Sequence, residues 1–135
     1  MMMYKIKTGH GGITQRKNQD IVIFVSSIHR LRESGGSFLF TNQHAYPPNT
    51  DFYEAIEALS AVDWPLLQSK NFKTDDADPG KQLRYQAEAL VHGHLPLNAL
   101  LGIVCYDDEV KQRIDFLVQA CGQNISVKTL AKWYF

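Results

Sequence analysis

Two cysteines, Cys105 and Cys121, are all that this 135-residue chain carries. That number excludes a disulfide framework, which needs several bridges to hold a small fold. Cys105 sits in an apolar run and Cys121 near an expected helix end, and both read as reduced thiols. Charge of one sign is also lacking: 14 basic and 14 acidic residues give a net charge of +0. No global basic field advertises nucleic acid, so any contact with a polyanion has to be local. Long hydrophobic runs are missing too. No stretch reaches the ~20 apolar residues of a membrane span. Residues 1–7 carry lysines but not the apolar core of a secretory signal. These absences point to a cytoplasmic protein with no membrane partner. There is no internal repeat, no serine nucleophile elbow and no Cys-x-x-Cys. What is there is an ordinary composition, 44% hydrophobic, in a length suited to one domain with a real core.

Along the chain, Gly9 to Gly12 (GHGG) could approach a phosphate, but it lacks the lysine and hydroxyl of a P-loop and reads first as a flexible turn. Ile21 to Val25 is a continuous β-branched run, as in a buried strand. Gly35-Gly36 marks a turn before a second strand, Phe38 to Thr41, and the two strands are expected to pair as a hairpin. Asn49-Thr50 cap an expected helix over 51–59, with Asp51 and Glu54 in its first turn and a Phe52, Ile56, Leu59 stripe for packing. Trp64, beside Pro65, reads as a core anchor. Leu97 to Leu101 reads as a short helical turn and Ile103 to Tyr106 as a buried strand. Asp107 caps a helix over 108–120 whose core face is Val110, Ile114, Leu117 and Val118, and Gly122 stops it. Strands at 125–128 and 133–135 finish the chain. The class is α+β, without βαβ rhythm.

The segment from Asn71 to Val91 carries the most chemistry. Asp75, Asp76, Asp78, Pro79 and Gly80 make a polar loop. If Gln86 to Val91 is a strand, Ala87, Ala89 and Val91 face a core and Gln86 and Glu88 share the other face. A carboxylate beside an amide can hold a ribose and stabilise positive charge growing on it. Spacing alone favours an ion pair of Glu88 with Arg84 or a nearby lysine. The loop's Lys70, Lys73, Lys81 and Arg84, interleaved with Phe72 and Tyr85, have the composition of a single-strand groove, though its acids nearly cancel its bases. A calcium loop fails on count, because no glutamate falls twelfth from Asp75 or Asp76. His92 and His94 would share a strand face, yet no third zinc ligand is evident and Gly93 reads as a turn.

Gln86-Ala87-Glu88 matches the Gln/Glu-x-Glu signature of ADP-ribosyltransferases. The run Arg84 to Leu90 resembles the DarT family, toxins that transfer ADP-ribose to bases of single-stranded DNA. Further blocks resemble it in order: Gly11-Gly12-Ile13, Ile21 to Ser26, Phe38 to Thr41 with His44-Ala45-Tyr46, Asp63-Trp64-Pro65, Gly102 to Tyr106 and Trp133-Tyr134-Phe135. The resemblance implies a mixed, split β-sheet with flanking helices, truncated at the N-terminal side, so that residues 1–135 form one partial domain. It implies NAD as substrate, no metal, and transfer to a base of single-stranded DNA, thymine first. Glu88 would be the catalytic residue and Gln86 would position the cofactor ribose. His44, Tyr46, Phe72, Arg84 and Tyr85 would contact DNA. His44 and Tyr46 also read as a surface histidine and a tyrosine packed on Pro47-Pro48. A catalytic arginine of the family lies before the stretch that resembles residues 1–13. The resemblance further implies a toxin paired with a macrodomain antitoxin. The alternative is an inactive fragment that keeps the binding of single-stranded DNA or of the antitoxin.

Overall fold

The structure, a computed structural model, describes residues 2–134. In chain order it contains α1 (Met2–Thr8), β1 (Ile23–Val25), α2 (Ile28–Glu33), β2 (Phe38–Thr41), β3 (Phe52–Tyr53), α3 (Trp64–Ser69), α4 (Lys81–Arg84), β4 (Ala89–Val91), β5 (Gly102–Cys105), α5 (Asp108–Ala120) and β6 (Val127–Thr129), with short 3-10 turns between them. The strands form two three-stranded sheets, ordered β1-β5-β6 and β3-β2-β4. The α+β class with a split sheet holds. Residues 28–96 make one compact unit, and the chain before and after them makes the other.

In the unit that contains the chain ends, β1 runs antiparallel to β5, with Ile23 opposite Val104. β6 runs parallel to β5, with Ile103 opposite Val127. A parallel pair needs a long crossover, and α5 provides it, so one βαβ unit exists where none was expected. Helix α5 starts at Asp107, whose carboxylate accepts the Val110 N–H at 3.0 Å. It ends in a Schellman turn: Gly122, at φ 65°, and Gln123 donate back to the Gln119 and Val118 carbonyls. Val110, Ile114 and Val118 pack with Ile103, Cys105 and Val127. Leu117 lies at the edge of that stripe and stays 53% exposed. Gly102 allows β5 to approach β6, because a Cβ there would lie 2.9 Å from the Ser126 carbonyl oxygen. Tyr134 is buried; its hydroxyl donates to the Val104 carbonyl at 2.8 Å, and burial pushes its pKa up to about 12.

Several strand expectations shift here. β1 is shorter than 21–25 and only one of its faces is covered: Phe24, which alternates with Ile23 and Val25, is 60% exposed. The strand expected at 125–128 lies at Val127–Thr129. Ala131–Trp133 is a 3-10 turn rather than the start of a final strand, and Phe135 lies outside the described residues.

In the second unit β2 is central. It pairs antiparallel with β3 (Phe40 opposite Tyr53) and with β4 (Phe38 opposite Val91, Phe40 opposite Ala89). β1 and β2 therefore do not form a hairpin, since they belong to different sheets. The helix expected over 51–59 is also replaced. The Thr50 hydroxyl donates to the His44 carbonyl at 2.7 Å instead of capping. Phe52 and Tyr53, aromatics that favour extended backbone, pair with β2, and the Tyr53 ring stacks on Phe40 at 5.3 Å. Only Ile56–Ala61 turns, as a 3-10 segment. Trp64 is no core anchor: it begins α3, is 44% exposed, and donates its indole N–H to the Leu59 carbonyl at 2.7 Å.

Candidate active site

The β2–β4 pairing fixes where Glu88 sits. The register places Thr41 opposite Glu88, one step beyond Phe40 and Ala89. The Thr41 N–H donates to the Glu88 carbonyl at 2.9 Å, and the Glu88 N–H donates to the Thr41 hydroxyl at 3.2 Å. After Thr41 the chain leaves the sheet in a loop over 42–50. Three contacts hold that loop in place. His44 N–H donates to the Leu83 carbonyl at 2.9 Å, Gln43 Nε2 donates to the Thr50 hydroxyl at 3.2 Å, and Thr50 donates back to His44. The loop so braced presents the Ala45 N–H to Glu88 Oε1 at 2.9 Å.

His44 Nδ1 lies 3.4 Å from the same carboxylate oxygen and 3.3 Å from the Tyr46 N–H. One ring nitrogen serves only one of these. Carrying a proton, it faces Glu88; bare, it accepts from Tyr46. The Glu88 side chain remains 38% exposed and that of His44 42%. The carboxylate is thus oriented by a main-chain donor and open to a substrate. Among the described residues Glu88 makes no ion pair with Arg84, which pairs with Asp63 and Asp78, or with a lysine.

Gln86 is placed differently from its expected position. β4 begins at Ala89, so Gln86 lies in the turn after α4 rather than on a strand beside Glu88. Its amide donates to the Gln82 carbonyl at 2.9 Å, four residues back. Helical geometry from Lys81 onward captures it. Ala89, expected in a core, is exposed; Ala87 and Val91 are half-buried.

The loop ahead of Glu88 divides its cations. Arg84 donates from Nη1 and Nη2 to Asp78 at 3.1 and 2.6 Å, and from Nε to Asp63 at 3.0 Å. The bond to Asp78 leads in raising the Arg84 pKa, and the bond to Arg84 leads in lowering that of Asp78. Arg84, expected to meet a DNA phosphate, spends three N–H groups bracing the loop. Asp63 also caps α3 by accepting the Leu66 N–H at 3.1 Å, so one residue anchors both features. Lys81, expected in the groove, is only 5% exposed. Lys70 and Lys73 remain exposed.

The aromatics fare otherwise. Phe72 is 56% exposed, and its ring centroid lies 4.9 Å from that of Tyr85. The Tyr85 hydroxyl is 2.7 Å from the Ser69 hydroxyl, and Gln82 Nε2 donates to the Phe72 carbonyl at 2.9 Å. Tyr46 is 89% exposed, so it does not pack on Pro47-Pro48.

Glu88 also lines a cleft of about 190 Å³ with Phe40, Leu59, Val62, Trp64 and Ala87. That volume is below the roughly 300 Å³ where whole small-molecule sites begin. It suits one ring system of a larger ligand. Among the described residues no group of three His, Cys, Asp or Glu could hold a metal. β4 ends at Val91, so His92 and His94 lie beyond it on either side of Gly93, whose φ is 73°.

Sequence reasoning missed Thr41, Asp63, Asp78 and the Ala45 N–H. The pattern held no sign of the backbone donor. The cap position of Asp63 before Trp64-Pro65 was a visible signal for that residue.

Comparison with known proteins bears on this geometry. The family model described as ssDNA thymidine ADP-ribosyltransferase, DarT, matches residues 1–135. A DNA ADP-ribosyl transferase of Escherichia coli O127:H6 is 40% identical over 134 residues, which is 99% of this chain and 62% of that protein. Thermus sp. 2.9 DarT, solved in complex with ADP-ribosylated ssDNA, has a similar fold with a TM-score of 0.86 at 25% identity, over 99% of this chain and 63% of that one. The same Thermus protein in complex with carba-NAD+ gives a TM-score of 0.86 at 24% identity, over 99% and 67%. This chain thus spans 62% of the length of the Escherichia coli relative.

Proposed function

The chain belongs to the DarT family of ssDNA thymidine ADP-ribosyltransferases, and from that premise we propose that it takes part in NAD-dependent transfer of ADP-ribose to a thymine of single-stranded DNA. The observation that carries this reading is the Glu88 carboxylate, held by the Ala45 N–H at 2.9 Å on a residue that lines a cleft sized for one ring. In the proposed reaction the bond between nicotinamide and its ribose breaks, and nicotinamide leaves with the bonding electrons. Positive charge grows on the ribose. A preorganised carboxylate stabilises such charge at no reorganisation cost. A thymine ring nitrogen forms the new bond to the ribose carbon and releases its proton, which Glu88 accepts in this reading. Phe72 and Tyr85 offer a stacking surface, and Tyr46 a second one.

Residues 1–135 would form part of one such transferase domain, acting in the cytoplasm as the toxin of a pair with a macrodomain antitoxin. With Nε2 donating to Gln82, Gln86 keeps its Oε1 and a second amide hydrogen for a ribose hydroxyl.

NAD-dependent labelling of single-stranded oligonucleotides, beside a Glu88→Ala variant, tests this reading. Labelling by the native chain, reduced at least about a hundredfold in the variant, is expected. Equal labelling in both would remove Glu88 from the chemistry. Oligonucleotide binding without labelling would favour the fragment that binds DNA and does not turn over.

A further inference from the structure

We propose that Thr41 is a positioning residue for Glu88, acting through its side-chain hydroxyl; this rests on the transferase reading above. In a regular antiparallel pair, two opposed residues exchange main-chain N–H···O=C bonds or make none. Thr41 and Glu88 make one such bond, from Thr41 N–H to the Glu88 carbonyl at 2.9 Å. The Glu88 N–H goes instead to the Thr41 hydroxyl at 3.2 Å. That hydroxyl in turn donates to the Gln43 carbonyl at 2.6 Å. Two residues further on, the Ala45 N–H meets Glu88 Oε1 at 2.9 Å.

The contacts close a circuit. The backbone of Glu88 is tied through one hydroxyl to the loop that orients its own carboxylate. Thr41 is 1% exposed, so water has little access to replace the hydroxyl. Removing it would leave the Glu88 N–H and the Gln43 carbonyl seeking partners, and the Ala45 donor would lose its fixed relation to the carboxylate. A carboxylate displaced by about 1 Å can cost roughly a hundredfold in rate.

The test compares Thr41→Val, close in shape but without the hydroxyl, with Thr41→Ser, which keeps it. The Ala45 amide proton is the reporter: in the native chain its NMR shift should follow the ionisation of Glu88, and a Glu88→Gln variant should abolish that response. Thr41→Val should lose the pH response at Ala45 while the ladder amides of β2 stay in place, and Thr41→Ser should retain it. A response kept in the valine variant overturns the proposal. If the valine variant does not fold, the serine variant decides: a retained response supports the hydroxyl, and a lost one overturns it. In turnover, Thr41→Val should lower kcat by about tenfold to a hundredfold at unchanged KM for NAD, with Thr41→Ser restoring most of it. A rise in KM at unchanged kcat would also overturn it. A native chain that labels no oligonucleotide removes the transferase reading, while the amide response still decides the role of Thr41.

Discussion

Phe72 keeps 56% of its surface in solvent although it is aromatic and contacts Tyr85. The hydroxyl contact from Tyr85 to Ser69 fixes the second ring, so the pair is ordered before any base arrives. Preordering removes part of the entropy cost of binding. Stacking on such a surface is worth about 1–3 kcal/mol per base. Phe72→Ala should therefore weaken binding of a fluorescent single-stranded oligonucleotide by about that amount, measured by anisotropy. Its unfolding free energy should change by only about 0.5 kcal/mol, since so much of the ring is exposed. A loss of stability as large as the loss of binding would make Phe72 a packing residue. Glu88 could be picked out from its sequence motif because residue type and order carry that signal. The role of Ala45 could not, because its contribution is a backbone N–H whose direction depends on a loop closed by Thr50, Gln43 and Leu83.

The segment ahead of Glu88 is held by charge as well as by the Phe72–Tyr85 contact. Arg84 bridges Asp78 in the loop and Asp63 at the start of α3. Because Arg84 lowers the Asp78 pKa, the bridge stabilises the folded chain when the carboxylate is ionised. The contribution is fully present above the ordinary aspartate pKa and is lost as pH falls through the lower folded value. Thermal unfolding of the native chain should therefore show a loss of stability on acidification below the ordinary aspartate range. An Asp78→Asn variant should show less of it. Identical profiles for the two would mean that the bridge contributes nothing. The same segment shows why some elements were legible and others not. The α5 helix followed from local rules, since Asp107, Gly122 and the apolar spacing all agree. The segment at 51–59 had a helix-like stripe and acids in place, yet β2 offered Phe52 and Tyr53 a pairing partner, and tertiary pairing overrides weak propensity. The βαβ unit was hidden because β5 and β6 are short and the parallel pairing leaves no mark in the spacing. Gln86 was misplaced for a related reason: α4 runs into the turn, so strand alternation starts only at Ala89.

For the whole chain, a net charge of +0 limits how the single-stranded DNA of the proposed reaction could be held. Affinity that comes from phosphate neutralisation falls with salt, by roughly 0.7 in log K per log salt for each phosphate contacted on a single strand. In the segment ahead of Glu88 the cations left for phosphate are fewer than the sequence suggested. Lys81 is buried, Arg84 is engaged by Asp63 and Asp78, and Lys70 and Lys73 are exposed. These two exposed lysines imply a slope of roughly −1.4 for the proposed DNA binding, with stacking on Phe72, Tyr85 and Tyr46 expected to supply a part that salt does not screen. Anisotropy titrations between about 50 and 200 mM salt measure it. A shallow slope, abolished by Lys70→Gln with Lys73→Gln while residual binding persists, would match a surface that grips bases more than backbone. A slope several times steeper would require phosphate contacts from cations elsewhere on the chain, and the surface of Phe72, Tyr85 and Tyr46 would then be at most a small part of the DNA interface.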